Sequence, residues 1–269
     1  MEETKSNTAV PGQALNYLKY CIPFLYFYDT RLKGWQTIFF HAWYEWGAGI
    51  FMLCYLNGFS PVEALLSYCL GYIPFIALYE TGYIVNDYYA SRNEDKPRLR
   101  LGAYGEVQEW EVLSWIGIRV IVAMVAAYWF DVASLLWFCF VFILLLIFGL
   151  HNFIREKEVK FLTFTGLALL RFILPLIPFL YIQQLGLVFP VVMINYVLYR
   201  MINYLASKDM LDMPNRKQPW FKLSFYLLLI PVNLIVLLIY EDSLGLCINV
   251  LYLVFWGLYF MKDRFLVQQ

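Results

Sequence analysis

The chain has 269 residues, of which 62% are hydrophobic, 20% aromatic and only 15% charged, with a mean hydropathy of +0.61. A soluble domain of this length carries far more charge, so the composition excludes an ordinary soluble globular protein. The formal net charge is zero, and nucleic acid is not an expected partner, because phosphate backbones are met by concentrated basic surface.

Residues 1–12 show no basic stretch leading into an apolar core, so no cleavable signal is expected. Residues 15–28 are apolar and aromatic but broken by Lys19 and Pro23, the pattern of a segment lying along a membrane interface. Apolar runs long enough to cross about 30 Å of hydrocarbon then predict eight helices, at 35–57, 62–85, 111–130, 133–150, 161–185, 188–207, 221–240 and 244–261. Pro175 and Pro178 interrupt the fifth of these and Pro231 the seventh. The expected fold is therefore all-α, a polytopic membrane helical bundle of about eight transmembrane helices. Residues 1–34 form an interfacial segment and 35–269 a single bundle domain. Loop placement divides that domain into two four-helix halves, at about 35–152 and 161–261. The five cysteines are scattered without metal-ligand spacing and read as packing residues.

With eight spans, every basic loop residue falls on one side, from Arg31 and Lys33 through Arg92, Arg155 and Lys208 to Lys217, Lys222 and Arg264. The opposite loops hold Glu63, Asp131, Glu241 and Asp242 and no Lys or Arg. The positive-inside rule puts both termini, and all the long polar loops, in the cytoplasm.

Six ionisable residues lie inside the predicted spans: His41, Glu45, Glu80, Arg119, Arg171 and Arg200. Each costs a few kcal/mol in hydrocarbon unless it is paired or faces water. At about 1.5 Å per residue they form one layer in the cytoplasmic half of the bundle. Two readings compete: a polar cavity open to the cytoplasm, or structural ion pairs in which Glu45 and Glu80 neutralise two of the three arginines. Glu80 and Asp87 share a helical face, as do Arg200, Asn203, Tyr204, Ser207 and Lys208.

Two polar stretches follow the second and sixth predicted spans, Asn86-Asp87-Tyr88-Tyr89-Ala90-Ser91-Arg92-Asn93-Glu94-Asp95-Lys96 and Ser207-Lys208-Asp209-Met210-Leu211-Asp212. Mg²⁺ prefers oxygen ligands and commonly takes one or two carboxylates while substrate phosphates complete its shell. Asp87 with Glu94, and Asp209 with Asp212, each fall on one helical face, and Asn86 adds a neutral oxygen. Lys96, Arg98, Arg100, Arg155 and Lys208 would meet phosphate charge that the metal leaves uncovered.

These stretches resemble the motifs of the UbiA superfamily of intramembrane prenyltransferases. The first superfamily motif reads Asn-Asp-x-x-Asp-x-x-x-Asp; here Asn86-Asp87 opens it, Ala90 stands at the middle Asp and Glu94 at the last. The second is similar to Tyr204-x-x-x-Lys208-x-x-x-Asp212, with Lys208 where an Asp is usual and Asp209 beside it. His151-Asn152-Phe153-Ile154-Arg155-Glu156-Lys157 and Leu167-Ala168-Leu169-Leu170-Arg171-Phe172 are similar to the superfamily's basic segment and fifth span. The chain departs from the superfamily in two motif aspartates and in having eight predicted spans rather than nine.

The resemblance implies a bundle around a central cavity, with a diphosphate at its cytoplasmic mouth and an isoprenoid chain in an apolar channel. The function expected is a Mg²⁺-dependent intramembrane transferase that ionises an isoprenoid diphosphate and passes the prenyl group to a membrane-associated acceptor, releasing pyrophosphate. Asn86, Asp87, Glu94, Asp209 and Asp212 would hold the metal. Lys208, Arg155 and Arg171 would offset charge on the leaving group, with Arg200, Tyr204, Glu80 and Lys96 also facing substrate. Glu80, Glu45 or His41 could take the acceptor's proton. The alternatives are phosphoribosyl transfer to polyprenyl phosphate, isoprenoid cyclisation, and a transporter or catalytically silent homologue. The partners implied are an isoprenoid or polyprenyl (di)phosphate and membrane lipid, with no obligate protein partner.

Overall fold

The computed structural model describes residues 20–90, Leu101 and residues 107–267, and among these every regular element is helical. A short helix α1 (Leu25–Arg31) leads into α2 (residues 35–57), in which Trp35–His41, a π-helical turn Ala42–Gly47 and Ala48–Asn57 follow one another with right-handed backbone at each junction. α3 runs from Pro61–Val85 into a second π turn, Asn86–Ala90. Then come α4 (Glu109–Trp129), α5 (Leu135–Phe153) and α6 (Lys157–Ile173). α7 (Ile182–Ser207) passes through a third π turn, Met193–Val197. α8 (Pro219–Tyr240) and α9 (Leu244–Val267) complete the chain.

Local chemistry explains the helix ends. Ser60 Oγ accepts the Glu63 N–H while Glu63 Oε2 accepts the Ser60 N–H at 2.8 Å, a reciprocal capping box with Pro61 at the first helical position of α3. Ser134 Oγ accepts the Trp137 N–H and starts α5. α4, α7 and α8 each stop at an acidic residue in the left-handed region, Asp131, Asp209 and Glu241. Behind Asp209, the Met210 N–H reaches back to the Leu205 carbonyl at 3.0 Å, which closes α7 as a Schellman turn.

Among the described residues, six helices are long and apolar enough to cross a membrane: Pro61–Tyr89, Glu109–Trp129, Leu135–Phe153, Ile182–Ser207, Pro219–Tyr240 and Leu244–Lys262. Large apolar side chains such as Ile121, Phe142, Leu146, Leu238 and Ile239 stand exposed on them. Apolar surface on that scale requires lipid as its solvent, so the chain is a multi-pass integral membrane protein. The sequence reading of eight spans thus resolves into six helices meeting that standard. The remaining two predicted spans are also helical, but a π turn carrying Glu45 divides α2, and α6 has 17 residues and begins among Lys157, Glu158 and Lys160.

One boundary differs outright. The predicted span 161–185 ends at Ile173, a 3-10 turn Ile177–Phe179 follows, and α7 already begins at Ile182. Pro175 and Pro178 supply no N–H to continue the ladder, and each ring crowds the preceding turn. The connection therefore lies at 174–181 instead of near Gly186, which is inside α7.

α2, α3, α5, α6, α7 and α9 form a ring in that order, with α9 closing against α2. The Tyr44 and Tyr252 rings stack across that closure at 4.1 Å. α4 lies outside on α3, and α8 lies outside on α9 and α7. At Gly71 of α3 the turn after α6 comes so close that a Cβ would run into the backbone carbonyl oxygen of Pro175.

Candidate functional site

Among the described residues there are three π turns, and each carries buried polar side chains: Glu45 in the first, Asp87 in the second, Asn195 and Tyr196 in the third. A π turn inserts one extra residue and redirects side chains relative to a regular helix, which is why such turns recur at functional positions.

Glu45 is the hub of the larger cluster. Its Oε2 accepts from Arg171 Nε of α6 at 2.9 Å, and its Oε1 accepts from the Tyr196 hydroxyl of α7 at 2.6 Å. His41 Nδ1 lies 2.9 Å from Glu45 Oε1 and 3.3 Å from Arg171 Nη2. Arg200, one turn beyond Tyr196, places Nη1 3.8 Å from the same carboxylate. Arg171 also donates to the Tyr83 hydroxyl of α3 at 2.6 Å and lies 4.6 Å above the Phe27 ring. One carboxylate thus stands between two guanidinium groups, and the cluster carries excess positive charge.

The predicted single layer divides in two. Glu80 and Arg119 form their own ion pair, fully buried, between α3 and α4. The Glu80 carboxylate also accepts the backbone N–H groups of Phe24 and Phe27, at 2.9 and 2.5 Å, and so caps α1 from outside it. Arg119 donates to the Tyr20 and Ile22 carbonyls. This pair fastens the segment entering α1, an arrangement close to the ion-pair alternative, whereas the Glu45 cluster borders a hollow.

That hollow has a volume of about 330 Å³ and is lined by Phe164, Tyr199, Arg200, Asn203, Tyr204, Ser207, Lys217 and Lys222. Four of its residues, Arg200, Asn203, Tyr204 and Ser207, are the helical face read from the spacing of α7. Lys217 arrives from the 3-10 turn Pro214–Lys217 and Lys222 from the first turn of α8. Phe164 stacks on Tyr204 at 4.2 Å, and the Lys222 ammonium lies 4.0 Å from the Trp256 ring centroid. Three cations and no carboxylate line this space, a set of donors suited to phosphate oxygens. A second hollow, of about 440 Å³, contains Asp242 and no cation.

The remaining predicted residues lie elsewhere. Asp87 is buried, and Arg31 Nη2 lies 2.9 and 3.1 Å from its two oxygens while the Tyr26 hydroxyl donates to Oδ2 at 2.7 Å. Asn86 is half-buried and donates from Nδ2 to Asp87 Oδ1 at 3.3 Å. Asp209, Asp212 and Arg155 are exposed, and Lys208 does not line the hollow. Glu94 and Lys96 lie outside the described residues. The tyrosines Tyr26, Tyr83 and Tyr196, together with Lys217 and Lys222, are additions that the sequence reading did not place at the site.

Of the residues that the resemblance would assign to Mg²⁺, the structure describes Asn86, Asp87, Asp209 and Asp212, and Glu94 lies outside the described residues. Among the described residues no three His, Cys, Asp or Glu side chains gather as metal ligands. Both Asp87 oxygens accept hydrogen bonds from α1, and Asp209 serves its turn through a left-handed backbone. In comparisons with known proteins, no protein-family model matches the chain, and neither does any curated protein or solved structure.

Proposed function

We propose that this chain is an intramembrane transferase that holds the diphosphate of an isoprenoid lipid in the cationic hollow and passes the prenyl group to a membrane-associated acceptor. The observation that carries this reading is the lining itself: Arg200, Lys217 and Lys222 with Asn203, Tyr204 and Ser207, and no carboxylate among them. In the reaction the C1–O bond of an allylic diphosphate breaks and both electrons leave with pyrophosphate. The allylic cation is captured by the acceptor, which gives up a proton. Fixed cations aimed at the leaving group stabilise charge as it develops, and the faces of Phe164, Tyr199 and Tyr204 in the same hollow suit the electron-poor allyl group.

In this reading α2 and α6 join the six long helices as spans, giving eight in two halves and placing both termini and the mouth of the hollow in the cytoplasm. The placement of Lys217 and Lys222 at that mouth agrees with the positive-inside distribution. Purified protein in detergent, given geranyl or farnesyl diphosphate with a membrane-lipid acceptor fraction, is expected to release pyrophosphate. Lys217→Ala/Lys222→Ala is expected to lower that release more than tenfold. Release only from a pyrophosphorylated ribose with polyprenyl phosphate as acceptor would favour phosphoribosyl transfer, and release with a cyclic product and no acceptor would favour cyclisation.

A second reading, a lipid-binding homologue without turnover, is favoured by one observation. The carboxylate expected to act at the end of α3, Asp87, is engaged by Arg31 and Tyr26. Retained prenyl diphosphate binding with no release from any donor would support it.

A further inference from the structure

The hydrogen bonds on Asp87 lead beyond the hollow. The Asp87 side chain has no exposure to solvent, and Arg31 approaches both of its oxygens with a single guanidinium nitrogen. Tyr26 donates a third hydrogen bond from one turn earlier in α1. Burial, and then the neighbouring carboxylate, hold the Tyr26 phenol well above its usual pKa, so it remains a donor. The helix that carries these donors is also held at its other end. Glu80 accepts the Phe24 and Phe27 N–H groups, Arg119 holds the Tyr20 and Ile22 carbonyls, and the Tyr20 ring stacks on Trp115 at 4.2 Å.

We propose that Arg31 is a resident counter-cation of Asp87, occupying the place where the resemblance would put a divalent ion, and that α1 is the element that delivers it. Mg²⁺ must approach a carboxylate oxygen to about 2.1 Å. At Asp87 it would displace charge-assisted hydrogen bonds and meet the like charge of the guanidinium. Arg31 is also joined to the central cluster: its guanidinium lies 4.5 Å from the Tyr83 ring centroid, and the Tyr83 hydroxyl accepts from Arg171. The Asp87–Arg31 pair and the Glu45–Arg171 pair therefore share Tyr83 as a common wall. This inference goes beyond the transferase reading and does not require that the hollow take a diphosphate.

The test is thermal unfolding of the full-length protein in detergent, with either millimolar Mg²⁺ or EDTA. Wild type is expected to unfold at the same temperature in both. Asp87→Asn and Arg31→Ala are each expected to lower that temperature by several degrees, equally in both media, and the double variant no further than either single one. A Mg²⁺-induced rise in wild type that Asp87→Asn abolishes would overturn the proposal, as would a double variant lowered by the sum of the two single effects. Should Arg31→Ala fail to fold, Arg31→Gln takes its place in the cycle, and the wild-type response to Mg²⁺ decides the matter on its own. Pyrophosphate release plays no part in these measurements, so failure of the transferase reading is separately visible.

Discussion

Replacing Glu45 by Gln removes one negative charge without changing the volume of the side chain. The carboxylate lies 2.9 Å from Arg171 Nε, with its side chain 2% and that of Arg171 4% exposed. At an effective dielectric near 20, such a contact carries about 6 kcal/mol of Coulomb attraction, much of it cancelled by the desolvation already incurred. What the variant exposes is the unbalanced remainder, because Arg171 stays buried beside His41 and Arg200 with no counter-charge. Removing one partner of a buried pair typically costs about 3–5 kcal/mol, and that is the expected loss for Glu45→Gln. Arg200→Met should cost about 1 kcal/mol or less, since Arg200 lies 3.8 Å from Glu45 and its side chain is 22% exposed. Reversible unfolding in mixed micelles measures both. The double variant Glu45→Gln/Arg171→Met should recover part of the Glu45→Gln loss. A Glu45→Gln cost under about 1 kcal/mol, or a double variant worse than Glu45→Gln, would refute the assignment of Glu45 as charge hub.

Three other expectations follow, two from the packing and one from the proposed orientation. Gly71→Ala should cost about 1–3 kcal/mol by the same assay, because a Cβ there meets the Pro175 carbonyl oxygen, a backbone atom with little room to retreat; an unchanged stability would show the two segments to be further apart. Asn195, Asn233 and Asn249 meet at full burial: Asn195 and Asn233 exchange hydrogen bonds at 2.9 and 3.1 Å, while Asn249 Nδ2 donates to Asn195 at 3.3 Å and its own Oδ1 has no partner. Asn195→Leu should therefore cost about 1–3 kcal/mol by stranding its two neighbours, and Asn249→Leu less than 1 kcal/mol because it also removes the orphaned oxygen; equal costs would contradict this network. Finally, in a background lacking the native cysteines, a cysteine at Lys217 should react with a membrane-impermeant thiol reagent only from the cytoplasmic side and one at Asp242 only from the opposite side, and labelling of both from one side would overturn the proposed orientation.

Much of the architecture was legible because bilayer thickness and proline chemistry act on short stretches of sequence. The interruption at Pro175 and Pro178 is a local feature, although the length of the apolar run 161–185 concealed that residues 174–181 form the connection and that the last four residues already belong to the next helix. The helical face Arg200–Ser207 was legible for the same reason, since three- and four-residue spacing alone defines it. What spacing does not supply is partner choice. Arg31 and Asp87 are 56 residues apart, and Glu45 and Tyr196 are 151 apart. A layer of six charges at similar depth is compatible with one cavity or with two separate pairings, and the choice between them is made by helix rotation. The tyrosines that bind these charges were hidden by abundance, being 22 in the chain. Lys217 and Lys222 were visible only as part of the basic side, because they reach the hollow through a turn and a neighbouring helix. A single Lys at the start of an otherwise apolar α8 was the one local signal available.

The proposed transferase requires that the hollow between α6, α7 and α8 bind the phosphate end of an isoprenoid lipid. Equilibrium binding of radiolabelled farnesyl diphosphate to the detergent-purified full-length protein tests it most directly, with wild type and Lys217→Ala/Lys222→Ala compared at two salt concentrations. The account predicts saturable binding to wild type, weakened at least tenfold in the variant and at higher salt. Equal binding by the two proteins, or none by wild type, would contradict it.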